Sequence, residues 1–312
     1  MQETHFHFPS NAPDARIHAV RWLPDGGEIR GVVQLVHGMS EHIERYRGFA
    51  EYLTQHGFVV VGHDHLGHGG SVKSDDELGY FAAEDGSRML VRDMHRLYTI
   101  TKKDYDEVPY VMLGHSMGSF LTRLYLCCYG TGLDGAVICG TGWQPEAVLR
   151  SALAVCLLES RLFGWKQRSR LIDKLAFGTF NMKFRPNRTA SDWLSRNEQN
   201  VDEYVADPHC GFLFTVNGFY NLFLTIFKVQ QKEYLEHMKR DLPVLFIAGA
   251  EDPVGDFGKG VRRAEQAFRE TGMRDVACRL YADDRHELLN EVDREQVYED
   301  VLGWMEQHVM KK

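Results

Sequence analysis

Runs of apolar residues alternate with amphipathic stretches over the first 142 residues and again after residue 239. The pattern predicts strands at 16–23, 31–36, 58–61, 110–113, 135–139, 243–248 and 276–281. It predicts helices at 45–55, 86–103, 119–129, 257–271 and 294–307. Most strand runs are apolar throughout rather than alternating, which is typical of strands covered on both faces. We therefore expect an α/β fold with a mostly parallel central sheet and helices on both faces.

The first predicted strand, at 16–23, is followed by the turn sequence Pro24-Asp25-Gly26-Gly27. Together with the strand at 31–36, this turn predicts a β-hairpin. The hairpin is expected to lead the chain into the buried part of the sheet.

The alternation is interrupted between residues 143 and 239, where helical stretches follow one another without strands. Nine of the 18 phenylalanines of the chain lie in this segment. We interpret it as an inserted helical cap. The predicted organisation is a core formed by residues 1–142 and 240–312, with the cap at 143–239.

The sequence Gly114-His115-Ser116-Met117-Gly118 joins a predicted strand to a predicted helix. This is the pattern of a nucleophile elbow, in which a sharp turn raises the serine hydroxyl above the sheet. The two glycines fit because a side chain at either position would clash where helix and strand meet. An idle serine in a glycine-rich turn has the same short pattern, so the rest of the chain must support Ser116 as the nucleophile.

A serine nucleophile needs a base that takes its proton and an acid that orients the base. Both are expected in loops at the carboxyl ends of the strands. Asp252 follows the strand at 243–248, and His286 follows the strand at 276–281. The order Ser116, Asp252, His286 is the chain order of a triad in the α/β-hydrolase fold.

Two backbone amides are candidates for an oxyanion hole, which stabilises the negative charge of a tetrahedral intermediate. One is the amide of Met117, directly after the candidate nucleophile. The other is the amide of Met39, in the loop after the strand at 31–36. This loop begins with His37-Gly38, which is also an ordinary turn sequence.

These segments resemble the monoacylglycerol lipase and lysophospholipase group of α/β-hydrolases over about two-thirds of the chain. The similar blocks are His37-Gly38-Met39-Ser40-Glu41-His42 with Arg45-Tyr46, Asp64-His65-Leu66-Gly67-His68-Gly69-Gly70-Ser71, Gly114-His115-Ser116-Met117-Gly118, Gly249-Ala250-Glu251-Asp252-Pro253-Val254 and Arg285-His286-Glu287. The resemblance implies a triad of Ser116, Asp252 and His286, with Met39 and Met117 as oxyanion donors. It also implies ester hydrolysis without a cofactor.

The histidines His63, His65 and His68 suggest a zinc site, because neutral imidazoles bind zinc. No cysteine or carboxylate set completes such a site at a usual spacing, so we expect a polar loop and no metal. Asp64, within the same loop, is expected to accept hydrogen bonds from backbone amides rather than to take part in chemistry.

Composition narrows the class of protein. A formal net charge of −8 argues against nucleic acid as a partner. Six scattered cysteines without CxxC spacing are typical of reduced thiols in a cytoplasmic protein. The sequence begins without the pattern of a signal peptide, and its longest apolar run is too short to cross a bilayer.

The predicted cap contains a basic stretch from Arg161 to Arg196. Nine Lys or Arg residues stand against two Asp residues, a local charge of nine minus two, or +7. A solvated helix face explains this pattern. The functional alternative is attraction for a phosphate head group or an anionic lipid surface, which the cap would touch peripherally.

The sequence therefore predicts a serine hydrolase that cleaves lipid esters, with a monoacylglycerol or a lysophospholipid as substrate. Within enzymes, the alternative is a broad carboxylesterase or thioesterase, or an acyltransferase, that uses short acyl chains. From another class, the alternative is a catalytically silent protein that binds a hydrophobic ligand. The oligomeric state is not predicted.

Overall fold

An eight-stranded sheet runs through the protein, which a computed structural model describes for residues 1–310. The strands are β1 Gln2–Pro9, β2 Arg16–Leu23, β3 Gly31–Val36, β4 Phe58–His63, β5 Tyr110–His115, β6 Gly135–Cys139, β7 Val244–Gly249 and β8 Val276–Tyr281. Their order across the sheet is β1-β2-β4-β3-β5-β6-β7-β8. The β1–β2 and β2–β4 pairs are antiparallel, and the other pairs are parallel. The predicted mostly parallel sheet is confirmed.

Helices cover both faces of this sheet. The α-helices are α1 Arg47–Gln55, α2 Gly86–Lys102, α3 Met117–Tyr129, α4 Glu146–Phe163, α5 Arg170–Phe177, α6 Glu198–Ala206, α7 Val216–Lys228, α8 Lys232–Leu235, α9 Lys259–Glu270 and α10 Arg294–His308. Short 3-10 helices lie at Ile43–Tyr46, Gly69–Ser71, Asp75–Glu77, Gly130–Gly132, Phe180–Phe184, Asp192–Leu194 and Leu288–Asn290.

Two apolar cores lie on opposite faces of the sheet because successive strand residues point to opposite sides. In β3, Val32 and Val36 join one core, whereas Val33 and Leu35 join the other. Helices α2, α3 and α9 pack on the first face, and α1 and α10 pack on the second. The central strands β3 to β7 are buried along their whole length, which explains their continuously apolar sequence.

The predicted hairpin between 16–23 and 31–36 is wrong. Strand β2 pairs with β1 and with β4, whereas β3 lies between β4 and β5. The true hairpin partner of β2 is β1, whose alternation of polar residues with Phe6 and Phe8 gives it an exposed face. Strand β3 is fully buried and pairs with one strand on each side, β4 and β5. As part of a hairpin at the edge of the sheet, it would have a neighbour on one side only.

Between β6 and β7 all regular secondary structure is helical. The one exception among the described residues is an isolated β-bridge between Arg168 and Thr215. Both ends of this segment contact Arg123 of α3, which is fully buried. Its guanidinium donates to the carbonyls of Gly142 and Val229, at 3.0 and 3.2 Å. Within residues 1–310, no helix has the length and apolar character that crossing a membrane requires.

Candidate active site

Ser116 lies at a sharp turn between β5 and α3. Its backbone has φ 53° and ψ −119°, a strained conformation for a residue with a side chain. A Cβ at Gly114 would lie 2.3 Å from the carbonyl oxygen of Gly118, and one at Gly118 would lie 2.0 Å from that of Val36. The predicted clash between helix and strand is therefore present, and only glycine fits at these two positions.

Asp252 and His286 are paired in the loops that follow β7 and β8. His286 Nδ1 lies 2.9 Å from Asp252 Oδ2, and both side chains are buried. The other oxygen of Asp252 accepts a hydrogen bond of 2.8 Å from the Val254 amide, which fixes the carboxylate. This is the pairing that a triad requires between its acid and its base, and it leaves Nε2 as the nitrogen that would act as the base.

The second half of the predicted triad, from Ser116 to His286, is not hydrogen-bonded. Among residues 1–310 no hydrogen bond joins the Ser116 hydroxyl to His286. The neighbouring His115 packs its ring 4.7 Å from that of His286 and places Nε2 3.2 Å from the His286 carbonyl oxygen. Bonds between nucleophile and base commonly tighten only when substrate is bound.

The loop that carries Met39 faces Ser116. A Cβ at Gly38 would lie 3.1 Å from the Ser116 Cβ, so the loop and the elbow are in contact. The Gly38 amide donates to Glu41 Oε1 at 2.5 Å, which fixes the turn. Met117 is the first residue of α3, where helix amides have no acceptor within the helix. Met117 is therefore part of the elbow, and Met39 directly follows Gly38 in the loop that contacts it; their amides stay the predicted oxyanion donors.

A network of buried charged side chains contacts the residues next to Ser116 and His286. Arg45 contacts Glu41 at 2.9 Å and Glu287 at 2.7 Å. Glu41 Oε1 also accepts from the Tyr46 hydroxyl at 2.8 Å and lies 3.3 Å from His115 Nδ1. Burial raises the pKa of both glutamates, but His115 and Arg45 outweigh it, so the pKa of each carboxyl is lowered. Burial opposes a charge on His115, yet Glu41 raises the pKa of its imidazole.

An aromatic side chain of the inserted segment covers His286, the candidate base. The Trp193 ring lies 5.1 Å from the His286 ring, and the Phe180 ring lies 5.1 Å from that of Trp193. Phe177 continues this row at 5.4 Å from Phe180. His286 is 2% exposed. An apolar wall therefore begins at the candidate base and extends into the inserted segment.

The histidines of the loop after β4 are buried and packed against one another. The His63 and His65 rings are 4.9 Å apart at a right angle. Burial lowers the pKa of His63 and His68 to about 3, so both stay neutral. Their ring nitrogens do not converge on one point within the described chain. Asp64 accepts from the amides of Ile43 and Gly70, as predicted, and also pairs with His18.

Part of the basic stretch is neutralised by acids. Lys183 contacts Glu251, Arg188 contacts Asp202 at 2.5 Å, and Arg196 contacts Asp284. Arg168 donates instead to the carbonyls of Leu213 and Asp75. The exposed cations Arg161, Arg170 and Lys174 lie on the same helices as the exposed apolar residues Leu158, Leu162, Phe163, Leu171 and Leu175.

The sequence profile of one hydrolase family, described as "Hydrolase_4: Serine aminopeptidase, S33", matches residues 27–293. The chain belongs to this family. The match begins before β3 and ends after His286, so it includes every candidate site residue. The prediction that the protein is an enzyme is confirmed.

Curated relatives of this Hydrolase_4 member carry lipase names. Monoglyceride lipase of Rattus norvegicus is 25% identical over 309 residues, covering 96% of this chain and 89% of the rat protein. Monoacylglycerol lipase of Mycolicibacterium smegmatis is 27% identical over 290 residues, covering 92% of each. The resemblance predicted from the sequence blocks is confirmed.

Solved structures show the same architecture. A thermostable carboxyl esterase from Bacillus coagulans, in complex with glycerol, has a TM-score of 0.92 and 28% identity, covering 99% of both chains. A monoglyceride lipase variant from Saccharomyces cerevisiae, in complex with a substrate analog, has a TM-score of 0.79 at 18% identity. It covers 100% of this chain and 97% of its own. The predicted α/β-hydrolase fold is confirmed.

Several residues at the site were not assigned a role from the sequence. Glu41, Arg45 and Glu287 lie inside the blocks that resemble the family, but nothing in their spacing shows that they meet. His115 stands in the elbow sequence only as the residue before the candidate nucleophile. Trp193 lies in the inserted segment, whose sequence contains no motif of the family. In each case the signal is a contact between distant parts of the chain.

Proposed function

We propose that this Hydrolase_4 member is a serine hydrolase that cleaves carboxylic esters of lipids through an acyl-enzyme. The observation that carries the proposal is the strained elbow at Ser116 beside the buried Asp252–His286 pair. A strained serine beside a paired histidine, with the Gly38 loop in contact with the elbow, supports a catalytic role rather than packing alone.

The proposed reaction has two halves. Ser116 Oγ attacks the ester carbonyl carbon while His286 Nε2 takes its proton, and the amides of Met39 and Met117 donate to the oxyanion. The carbon–oxygen bond then breaks, and His286 returns the proton to the leaving alcohol. Water attacks the acyl-enzyme by the same proton transfers, which releases the fatty acid and restores Ser116. Asp252 accepts a hydrogen bond from Nδ1 and holds the imidazole in place throughout.

A monoacylglycerol is the proposed substrate, ahead of a lysophospholipid. The names of the relatives and the apolar row from His286 to Phe177 support a lipid acyl chain. Lys183, Arg188 and Arg196 are paired with acids, which reduces the positive charge left for a phosphate head group. This supports the neutral glyceride.

The inserted segment is proposed to touch lipid surfaces. Its helices α4 and α5 expose Leu162, Phe163 and Leu175 by 64%, 65% and 70%. Exposed cations stand on the same two helices, a combination that favours an anionic interface.

The six cysteines are free thiols, which supports the prediction of a cytoplasmic location.

The experiment that tests the function is a substrate series on the wild type and on Ser116→Ala. We expect hydrolysis of p-nitrophenyl esters and of monoacylglycerol, lost in the variant by a factor on the order of 10⁴ or more. Ser151→Ala, a hydroxyl in α4 away from the site, is the matched control. Full activity of Ser116→Ala would contradict the mechanism.

The same series separates the alternatives. Rates that peak with short acyl chains would favour a broad carboxylesterase or thioesterase. Acyl transfer to an added alcohol in preference to water would favour an acyltransferase. Tight binding of a lipid without turnover would favour a silent binding protein. Cleavage of aminoacyl anilides ahead of esters would favour the peptidase activity in the family description.

A further inference from the structure

Three potential metal ligands converge at the first two strands, on side chains that the proposed reaction does not use. They are His5 of β1, His18 of β2 and Glu44 of the 3-10 helix Ile43–Tyr46. His5 Nδ1 lies 2.9 Å from His18 Nε2 and 3.8 Å from Glu44 Oε1. The three ligand atoms all lie within 4.8 Å of one another. We propose that they form a binding site for a divalent first-row metal ion, with Zn²⁺ as the best match.

The strand register explains why the two histidines meet. His7 is paired with His18, and His5 is paired with Val20, so His5 and His18 are diagonal neighbours on one face of the antiparallel pair. Glu44 reaches this face because the Ile43 amide donates to Asp64 at 2.8 Å, which fixes the start of the 3-10 helix. Three separate elements of the chain therefore supply one ligand each.

Both imidazoles are held by carboxylates on the side away from the shared point. His18 Nδ1 lies 2.7 Å from Asp64 Oδ2, and His5 Nε2 lies 2.9 Å from Glu3 Oε1. The Asp64 side chain is 3% exposed and is held by two backbone amides. Histidine ligands typically donate their second ring N–H to a carboxylate, which fixes the tautomer and raises the basicity of the ligand.

The pairing of the outer ring nitrogens with carboxylates favours the tautomers in which the two inner nitrogens carry lone pairs that face each other. If each outer nitrogen donates its proton to a carboxylate, His5 Nδ1 and His18 Nε2 are both acceptors. Two acceptors 2.9 Å apart repel unless a cation or a shared proton lies between them. Zinc–nitrogen bonds of about 2.0–2.1 Å in tetrahedral geometry need the nitrogens about 3.4 Å apart. His5 is 42% exposed, so its ring can make that small shift.

The ligand set matches zinc in number and type. Two imidazoles and one carboxylate leave one position of a tetrahedron for water. Nitrogen ligands select zinc, nickel or copper over magnesium and calcium, which prefer oxygen. This proposal differs from the expectation of no metal, which rested on the cysteines and on the loop at His63, His65 and His68.

Two other groups of potential ligands are weaker. His42, Asp207 and Cys210 converge, but burial raises the pKa of the Cys210 thiol, which opposes the thiolate that a metal needs. Asp284, Glu291 and Asp293 already surround the guanidinium of Arg196. Neither group has two imidazoles anchored by carboxylates.

The experiment is a titration of the full chain, without a histidine tag and stripped by a chelator, with ZnCl₂ in a calorimeter. We expect one site with a Kd of about 1 µM or tighter, and a rise in melting temperature on adding zinc. His5→Asn and Glu44→Gln, at partly exposed positions, should each weaken zinc binding roughly 10-fold or more.

The controls are His237→Asn, which removes an exposed imidazole elsewhere, and His42→Asn, which disrupts the rival group. Both should keep wild-type affinity. The absence of saturable zinc binding would overturn the proposal. So would unchanged affinity in both His5→Asn and Glu44→Gln, or a loss confined to His42→Asn. Zinc binding is measured directly, so its failure would not bear on ester hydrolysis.

Discussion

Arg45 and Glu287 form a two-pronged ion pair, with Nη1 2.7 Å from Oε1 and Nη2 2.7 Å from Oε2. Glu287 directly follows His286. The same guanidinium contacts Glu41 at 2.9 Å, and Glu41 in turn holds the Gly38 amide. One side chain therefore connects the loop of the proposed base with the loop of the proposed oxyanion hole.

Replacing Arg45 with lysine tests this connection. Lysine keeps the positive charge, but its ammonium lacks the planar fork of N–H groups with which Arg45 contacts both Glu287 and Glu41. We expect Arg45→Lys to lower kcat about 10-fold with little change in KM, because the two loops lose their mutual alignment. Arg30→Lys, at an exposed pair with Glu306, is the control and should keep full activity. A change in KM alone would mean that Arg45 affects binding rather than alignment.

The identity of the triad acid can be tested with three amide variants. Asp252→Asn should lower kcat by about 10⁴ because it favours the wrong imidazole tautomer, while circular dichroism stays unchanged. Glu251→Gln and Asp256→Asn should have small effects, since Glu251 contacts Lys183 and Asp256 is exposed. If either control is the more damaging change, the acid is assigned wrongly.

The buried glutamates predict a loss of stability in acid. The pKa of Glu41 and that of Glu287 lie below the ordinary value of 4.5. Their ionised forms therefore stabilise the fold fully above that value, and this contribution is lost as the pH falls through the lowered pKa values. Urea unfolding from pH 7 to pH 3 should show a shallower acid loss in Glu41→Gln than in the wild type. Parallel curves would contradict the assignment.

Trp193 is expected to set acyl-chain preference. Trp193→Ala removes the first ring of the apolar wall above His286. We expect kcat/KM to fall about 10-fold or more on long-chain esters and little on acetate esters. Trp165→Ala is the control, since Trp165 packs on Tyr220 at 5.3 Å in the same segment. Equal losses on short and long esters would place Trp193 in catalysis rather than selectivity.

Contact with a lipid surface can be tested by reversing exposed charges. Arg170→Glu with Lys174→Glu should lower rates on anionic vesicles that contain monoacylglycerol, and high salt should do the same to the wild type. Rates on a small neutral ester should not change. The matched reversal on the core, Lys103→Glu with Arg262→Glu, should leave vesicle rates intact. If both double variants behave alike, α5 is simply a solvated face.

The sequence was most informative where local chemistry decides the structure. The strand at 31–36 and the elbow at Ser116 were predicted correctly, because a buried strand must be apolar and a sharp turn must contain glycine. Strand β1 was missed because its first four residues are polar and only Phe6 and Phe8 follow in alternation with polar positions, so no apolar run marks it. The hairpin error followed from that omission.

Contacts between distant segments could not be predicted in the same way. Arg45 and Glu287 are 242 positions apart, and no local pattern indicates that they pair. Trp193 lies in the 3-10 helix Asp192–Leu194 of the inserted segment, and its ring packs against that of His286. The Trp193 contact depends on where the inserted segment lies, and the Arg45–Glu287 contact depends on how the two halves of the core meet; a single sequence determines neither.

Arg123 has a consequence for how substrate reaches Ser116. Its guanidinium holds the chain at Gly142, where the inserted segment departs, and at Val229, near its return. Burial lowers the pKa of this guanidinium to about 10, but it remains charged at neutral pH. A segment that is hydrogen-bonded to Arg123 near both of its ends is not expected to open by rotating as one rigid body about a single hinge. We expect the passage for lipid to form by sliding of helices within the segment. The width of that passage is then set by contacts in the middle of the segment, away from the two points that Arg123 holds.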